Sequence, residues 1–114
     1  MVAAEEHGFP SAMISDHLHP WTPTQGNAPF VWTVLGAIAQ ATSSLRVGTG
    51  VTAPGDRAHP LQIAQAAATV ECLMPVRFFL GLGSGERLNE QAFGTRWPRA
   101  GERRERLGEA IDLI

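Results

Sequence analysis

Apolar residues along the chain form two alternating patterns, short continuous runs and longer runs with helical spacing. The short runs are SAMIS (11–15), RVGTGVTAP (46–54) and RFFLGLGSGE (77–86), and each predicts a buried β-strand. The longer runs cover residues 27–45, 59–74 and 100–114, and each predicts an amphipathic helix. The predicted order is therefore strand, helix, strand, helix, strand, helix.

Local signals support the predicted helices. Asn27 is a candidate N-cap for the first helix, and Pro29 and Pro60 lie near the starts of the first and second. The inner faces are predicted from residues at helical spacing: Val31, Val34, Leu35, Ile38 and Ala39; then Ile63, Ala67 and Val70; then Leu107, Ala110, Ile111 and Ile114.

This alternation predicts an α/β fold with parallel strands, because strands that are apolar throughout are covered by helices. Two architectures fit the pattern, a doubly wound open sheet and part of an eightfold (β/α)8 TIM barrel. In both architectures, active sites form at the carboxyl ends of the strands.

Unusual polar and glycine residues follow each predicted strand, while the connections from helix to strand carry no such residues. The candidates are Asp16, His17 and Trp21 after the first strand, Gly50 and Val51 after the second, and Ser84, Gly85, Glu86 and Asn89 after the third. We therefore predict one site at the carboxyl end of the sheet.

Composition limits the classes of function. The chain has 114 residues, is 44% hydrophobic and carries a formal net charge of -2, which indicates a single globular unit over residues 1–114. Without a basic excess it is not expected to bind nucleic acid, and no apolar run reaches the roughly 20 residues of a membrane span. A cytoplasmic location follows by default. The single cysteine, Cys72, is predicted to be a buried free thiol.

A metal site at HLH is the first chemical alternative. His17 and His19 would point the same way from an extended segment, but zinc or manganese needs three or four ligands. The other histidines, His7 and His59, do not follow strands. We therefore predict no metal; His19 is expected in a solvated loop, and His17 beside Asp16 is a candidate proton acceptor or donor.

The turn GLGSGE resembles a dinucleotide-binding fingerprint, but Glu86 stands where the third glycine is required. The glycines still allow backbone amides to approach a flat ring or a phosphate. Gly48 and Gly50 inside the second strand also indicate a bulge or a close approach by another group.

Five segments together resemble one family: SDHLHPWTPTQGNAPFVWTVLGAIAQAT, VGTGVTAP, HPLQIAQAAATVECLMP, RFFLGLGSGERLNE and RWP. The chain is similar to luciferase-like oxidoreductases that use the deazaflavin coenzyme F420, in the branch of the glucose-6-phosphate dehydrogenases. The resemblance implies a TIM barrel of greater length. This chain would correspond to its strands 2, 3 and 4 with their helices, and we expect it to be a fragment.

The resemblance also implies roles in hydride transfer between an alcohol or sugar and the deazaflavin. His17 would be the base that takes the substrate hydroxyl proton, and Glu86 would be the acid that protonates the ring nitrogen. Trp21 would wall the substrate pocket, and Asp16 would orient the histidine or touch the coenzyme.

Further coenzyme contacts are implied at Gly50 and Val51, where the family has a non-prolyl cis peptide, and at Ser84, Gly85 and Asn89. Val76 departs from the family, whose members have glycine or asparagine there. If that turn needs a left-handed backbone, the β-branched side chain costs roughly 1–2 kcal/mol.

Two other functions remain open, an FMN-dependent monooxygenase of the same fold and a catalytically inactive oligomerising piece. The two alanine-rich helices resemble a family dimer interface, so a homo-oligomer is expected. The chain by itself should not be a stable, active monomer, because the inner barrel face, predicted to include Ile14, Val47 and Phe79, would lack its packing partners.

Overall fold

The computed structural model describes all residues, 1–114, and confirms the predicted alternation of strands and helices. In chain order the elements are α1 (Val2–Glu6), β1 (Ser11–Ile14), α2 (Val31–Ala41), β2 (Arg46–Thr49), α3 (Pro60–Leu73), β3 (Phe78–Phe79), α4 (Arg87–Glu90) and α5 (Ala100–Leu113). Short 3-10 turns cover Pro23–Gln25 and Gln91–Phe93. The short helix α4 has no counterpart in the apolar pattern.

The three strands form one parallel sheet in the order β1-β2-β3. Ser11 pairs with Arg46, Val47 pairs with Phe78, and beyond the strands Thr52 forms a bridge with Leu82. Sequential strands that lie side by side are expected of consecutive βα units in a barrel, whereas a doubly wound sheet reverses its order at a switch point.

The core lies between the sheet and helices α2 and α3. It contains Val31, Leu35, Ile38, Ala39, Leu45, Val47, Val70 and Met74, with Ala12, Ile14 and Phe78 packed against it. The expectation that Ile14 and Val47 line the inner barrel face is therefore wrong. Side chains alternate along a strand, and these two point towards the helices.

The other face of the sheet carries Met13, Gly48, Gly50 and Phe79. A Cβ at Gly48 would clash with the backbone oxygen and the ring of Phe79, and a Cβ at Gly50 would lie 2.8 Å from Met13 Cε, so both positions favour glycine. Met13 is 58% exposed. The strands are thus buried on the helix side only, and the other face lacks packing partners, as expected of the inner barrel face.

The start of α3 agrees with the prediction from sequence, and the start of α2 does not. Helix α2 begins at Val31 with Phe30 as N-cap and no side-chain cap, so Asn27 is not the cap and Pro29 lies outside the helix. Helix α3 has Pro60 at its first turn as predicted. Its N-cap His59 accepts from Leu61 N, while Gln62 accepts from the His59 backbone, which completes a capping box.

Two predictions of burial are wrong. Cys72 is exposed, because the buried positions of α3 are Ile63 and Val70 and Cys72 lies on another side of the helix. In α5 only Ala110 is buried, whereas Ile111 and Ile114 are exposed. Helix α5 rests on α3, and half of its predicted apolar face, Ile111 and Ile114, meets no partner.

At the amino end of the sheet, side chains bind the connections between elements. The Glu5 carboxylate accepts hydrogen bonds from the amides of Ser43, Ser44 and Leu45 at 2.5–3.2 Å and from the Ser44 hydroxyl. The backbone bonds of Ser44 and Leu45 contribute most to lowering the Glu5 pKa from its ordinary 4.5 to about 2.

Arg77 stabilises the same end of the molecule. Its guanidinium donates to Thr42 Oγ1 (3.0 Å), Ala39 O (3.3 Å) and Leu45 O (3.5 Å), which lie at and after the carboxyl end of α2. The preceding residue, Val76, has φ 58° and is 84% exposed. The turn therefore has the left-handed backbone in which a β-branched residue is strained.

None of the helices combines the length and apolar character that crossing a membrane would require.

Candidate functional site

A cleft of about 180 Å³ opens at the carboxyl end of the sheet. All nine residues singled out in the sequence line it: Asp16, His17, Trp21, Gly50, Val51, Ser84, Gly85, Glu86 and Asn89. They come from the segments that follow β1, β2 and β3, because parallel strands bring their carboxyl ends to one edge. The cleft also includes Arg57 and Glu90, which the sequence did not suggest as site residues.

His17 is held by three neighbours at the centre of the cleft. Its ring stacks on Trp21 with a centroid distance of 4.8 Å and a tilt of 32°. Its Nε2 lies 3.4 Å from Glu86 Oε2, and its Nδ1 lies 3.4 Å from Asn89 Nδ2. The His17 side chain is 11% exposed and that of Glu86 is 47% exposed, so the acid can move more freely than the histidine.

Asn89 links the loop after β1 to the short helix α4. Its Oδ1 accepts from Leu18 N at 2.9 Å and from His19 N at 3.3 Å, which turns Nδ2 towards His17. Asn89 is itself buried. The amide therefore fixes the loop that carries His17 and occupies one side of its ring.

Asp16 is buried and its carboxylate is already bound. Arg57 Nη2 pairs with Oδ1, the Thr52 hydroxyl donates to Oδ2 at 2.7 Å, and Arg57 Nη1 donates to the Asp16 backbone oxygen at 2.8 Å. The Asp16 carboxylate therefore forms no hydrogen bond to the His17 ring, which is one of the two roles that the resemblance implied. Asp16 instead anchors the backbone next to His17 to the loop after β2.

The cleft floor is backbone with little side-chain cover. The peptide bond between Gly50 and Val51 is cis, as the resemblance implied. A Cβ at Gly81 would lie 2.3 Å from Thr49 O, and one at Gly83 would lie 2.5 Å from Val51 Cγ2, so larger residues do not fit. Gly85 has φ 83°, a conformation that favours glycine.

Glu90 lines the cleft below the glycine-rich turn. Its Oε1 lies 3.3 Å from the position a Cβ would take at Gly85. Burial raises the pKa of Glu90, and the nearby Asp56 carboxylate raises it further, while Arg57 opposes both. In the sequence Glu90 looks like one more surface carboxylate of a polar stretch, so no local signal identified it.

The remaining histidines do not join the cleft. His59 caps α3, and the His7 ring contacts Ala3 O at 2.7 Å within the first turn of the chain. His19 is exposed, as expected of a loop residue. No three side chains of His, Cys, Asp or Glu type are grouped closely enough to hold a metal ion.

Comparison with known proteins gives matches over the whole chain. The model of a family described as luciferase-like monooxygenase matches residues 1–114. An F420-dependent glucose-6-phosphate dehydrogenase of Segniliparus rotundus is 50% identical over 114 residues, which cover 99% of this chain and 34% of the relative. An F420-dependent hydroxymycolic acid dehydrogenase of Mycobacterium tuberculosis is 50% identical, with 98% and 31% coverage. The chain thus spans about a third of the length of these relatives.

Solved structures agree with these matches. An F420-dependent secondary alcohol dehydrogenase in complex with an F420-acetone adduct superposes with a TM-score of 0.94 at 33% identity, covering 98% of this chain and 34% of the other. An F420-dependent tetrahydromethanopterin reductase of Methanopyrus kandleri gives a TM-score of 0.67 at 33% identity, with 83% and 25% coverage. The prediction of an α/β fold that forms part of a TIM barrel is confirmed.

Proposed function

Because the chain belongs to the luciferase-like monooxygenase family, an oxidoreductase family, we propose that it carries the catalytic cleft of a coenzyme F420-dependent dehydrogenase. The substrate would be an alcohol or a sugar, as the names of its relatives suggest. The observation that carries the proposal is the cleft itself: a histidine and a glutamate meet above a floor of glycine backbone.

The residues present fit a flat deazaflavin ring. Gly50, Gly83 and Gly85 have no side chains, and Val51 supplies an apolar surface against Gly83. Backbone with so little cover allows close contact with a planar group. Ser84 and Asn89 would provide polar contacts at the edge. When bound, F420 supplies the acceptor for the substrate hydride.

His17 is the proposed base, and the protonation of its two nitrogens decides whether it can act. To take a substrate proton, Nε2 must carry no proton, so the single ring proton is on Nδ1. Nδ1–H then faces the Asn89 Nδ2 amide, which is also a donor. In the other tautomer the Asn89 amide donates to Nδ1, and Nε2–H faces Glu86. The Asn89 contact is long, so it opposes the base tautomer only weakly.

Glu86 is the proposed acid on the opposite side of the reacting groups. At 3.4 Å from Nε2 it closes the space that a substrate hydroxyl needs, so its exposed side chain has to rotate away when substrate enters. Trp21 then remains stacked on His17 and walls the substrate side. Asp16 contributes indirectly, because Arg57 and Thr52 hold it and it holds the neighbouring backbone.

The proposed assembly is a homodimer through α2 and α3, the two alanine-rich helices. The inner faces of these helices pack on the sheet and on each other, α5 rests on one side of α3, and Leu61 and Leu73 of α3 remain exposed. Sedimentation equilibrium of the chain tests this point: a monomer at all concentrations would contradict the dimer.

A chimeric barrel tests the function. The matching third of the Segniliparus rotundus enzyme is exchanged for residues 1–114, so that the acceptor provides the remaining barrel and the substrate contacts. We expect the chimera to bind F420 and to reduce it with glucose 6-phosphate, because every proposed coenzyme contact of this chain lies in the exchanged part.

FMN in place of F420 is the second arm of the experiment. Tight FMN binding with oxygen-dependent turnover would replace the proposal with the monooxygenase alternative. A chimera that folds like its parent and binds neither coenzyme would leave the inactive oligomerising piece as the better account.

A further inference from the structure

A second cavity, of about 130 Å³, lies beside the catalytic cleft. The two share Ser84, Gly85 and Glu90, and the second cavity continues outwards between the 54–56 loop and the start of α5. Nothing in the proposed hydride transfer uses its outer part. The outer part is distinguished by four arginines: Arg87, Arg96, Arg103 and Arg106.

Two of these arginines already have a carboxylate partner. Arg96 Nη2 lies 3.0 Å and Arg106 Nη2 lies 2.7 Å from the Glu102 carboxylate, and both hydrogen bonds help to lower the Glu102 pKa. Arg87 and Arg103 form no salt bridge. The cavity therefore contains two guanidinium groups whose charge no side chain balances.

Arg103 is held in place without its charge being neutralised. Its Nη1 donates to Pro98 O at 2.9 Å, and its guanidinium carbon lies 4.4 Å from the centre of the Trp97 ring. Its Nε is buried and has no hydrogen-bond partner. Stacking on an aromatic ring fixes a guanidinium in one orientation, which lowers the entropy cost of binding a ligand.

The acidic groups in the cavity do not offset the arginines. Asp56 accepts a hydrogen bond from the Thr95 hydroxyl. Burial raises the pKa of Glu90, which favours the uncharged form of that carboxyl. With Arg96 and Arg106 paired to Glu102, Arg87 and Arg103 face only Asp56 and Glu90, and burial shifts Glu90 towards its uncharged form.

We propose that this cavity binds an oxyanion, a phosphate or carboxylate group, with Arg87 and Arg103 as its ligands. Guanidinium groups bind such anions through charge-assisted hydrogen bonds, often two at a time. The anion can belong to a separate molecule or to an acidic part of a ligand that also fills the catalytic cleft, since the two cavities are continuous.

Sulfate is the probe, because it keeps two charges throughout the neutral range. Calorimetric titration of the chain with sulfate, against chloride at equal ionic strength, should show saturable binding of sulfate only. Arg87→Gln should weaken it about tenfold or more, as expected for the loss of one charge-assisted hydrogen bond. Arg103→Gln should do the same.

Arg104→Gln is the matched control, because Arg104 follows Arg103 on α5, is exposed and does not line the cavity. It removes the same charge and should leave sulfate affinity within about twofold, the change expected from a distant surface charge. Arg87 forms no side-chain hydrogen bond or salt bridge, so Arg87→Gln keeps the test valid even if Arg103→Gln fails to fold.

Competition with F420 then identifies the source of the anion. Mutually exclusive binding of sulfate and F420 would assign the site to an acidic part of the coenzyme, and simultaneous binding would assign it to a separate anionic ligand. The sulfate titration itself does not depend on the proposed dehydrogenase function. Sulfate binding no stronger than chloride binding, or equal losses in Arg87→Gln and Arg104→Gln, would overturn the proposal.

Discussion

The two ends of the sheet use polar side chains in opposite ways. At the amino end, the Glu5 carboxylate and the Arg77 guanidinium are bound by backbone groups and hydroxyls of the chain itself. At the carboxyl end, His17 has two contacts of 3.4 Å, and the Glu86 side chain is half exposed. Well-formed hydrogen bonds stabilise the first end, whereas long contacts leave the second end able to bind a ligand.

Arg57 shows how the carboxyl end is kept in shape. The ion pair between Arg57 and Asp16, completed by the Thr52 hydroxyl, is a saturated set of polar contacts there, and Asp16 is the residue next to His17 in the chain. At the end that is proposed to bind a ligand, the Asp16–Arg57 pair thus fixes the backbone, while the cleft beside His17 stays accessible. The difference between the ends predicts that substitutions at the carboxyl end change catalysis and substitutions at the amino end change stability.

The largest expected effect is that of His17→Ala in the chimeric barrel. Removal of a general base lowers turnover by about 10²–10⁴-fold, while coenzyme affinity and thermal stability stay near those of the parent. Steady-state kinetics and a coenzyme titration provide the measurements. His19→Ala is the control, since His19 is an exposed residue of the same loop. Equal turnover in both variants would remove His17 from the mechanism.

At the amino end, Arg77→Met should lower the free energy of unfolding by about 1–3 kcal/mol, because the Thr42 hydroxyl and the Ala39 carbonyl lose their donor. Coenzyme affinity should be unchanged. Urea unfolding followed by circular dichroism measures the loss, with Arg104→Met as the surface control. An unchanged midpoint would mean that Arg77 is not a stabilising group.

Val76→Gly should raise the stability of the fold, whereas Arg77→Met lowers it. The β-branched residue occupies a left-handed conformation at φ 58°, so glycine should raise the free energy of unfolding by about 1 kcal/mol. Val76→Asn, which also tolerates this backbone, should give part of the gain. The same urea titration decides the matter; a loss of stability in both variants would contradict the assigned strain.

Glu5→Gln should give the smallest change in the free energy of unfolding, because the Glu5 side chain is only partly buried and solvent screens its charge. A folded-state pKa of about 2, below the ordinary 4.5, means that the ionised carboxylate stabilises the fold above about pH 4.5. This stabilisation is lost as the pH falls towards 2. Melting temperatures across this range should therefore converge for the wild type and Glu5→Gln, whereas Glu6→Gln should follow the wild type throughout.

The sequence predicted the alternation of elements well because it depends on periodicity. The apolar spacing around Leu35 and around Ile63 predicts a helix independently of the tertiary structure. Both residues are buried, as expected. The carboxyl-end site was also predictable, because parallel strands of any barrel bring the residues after them to one rim. His17 and Glu86 meet for that reason.

The predictions that were wrong concern tertiary packing, which no local sequence pattern encodes. Val47 faces the helices because of the strand register, and Cys72 is exposed because of how α3 is rotated on the sheet. Arg57 was missed since a single arginine in a loop gives no sign that it will reach a buried carboxylate. The functional roles proposed for the nine cleft residues rest on the family resemblance and remain predictions.

Titration of the isotope-labelled chain with F420, followed by amide chemical shifts, shows whether the cleft at the carboxyl end of the sheet binds the coenzyme. Even weak binding gives shifts, so the experiment can be done on residues 1–114. We predict that the amides of His17, Gly50, Ser84 and Asn89 move together along one binding curve while those of Ser44 and Leu45 stay in place. Shifts at the amino end, or shifts with FMN and none with F420, would contradict the account.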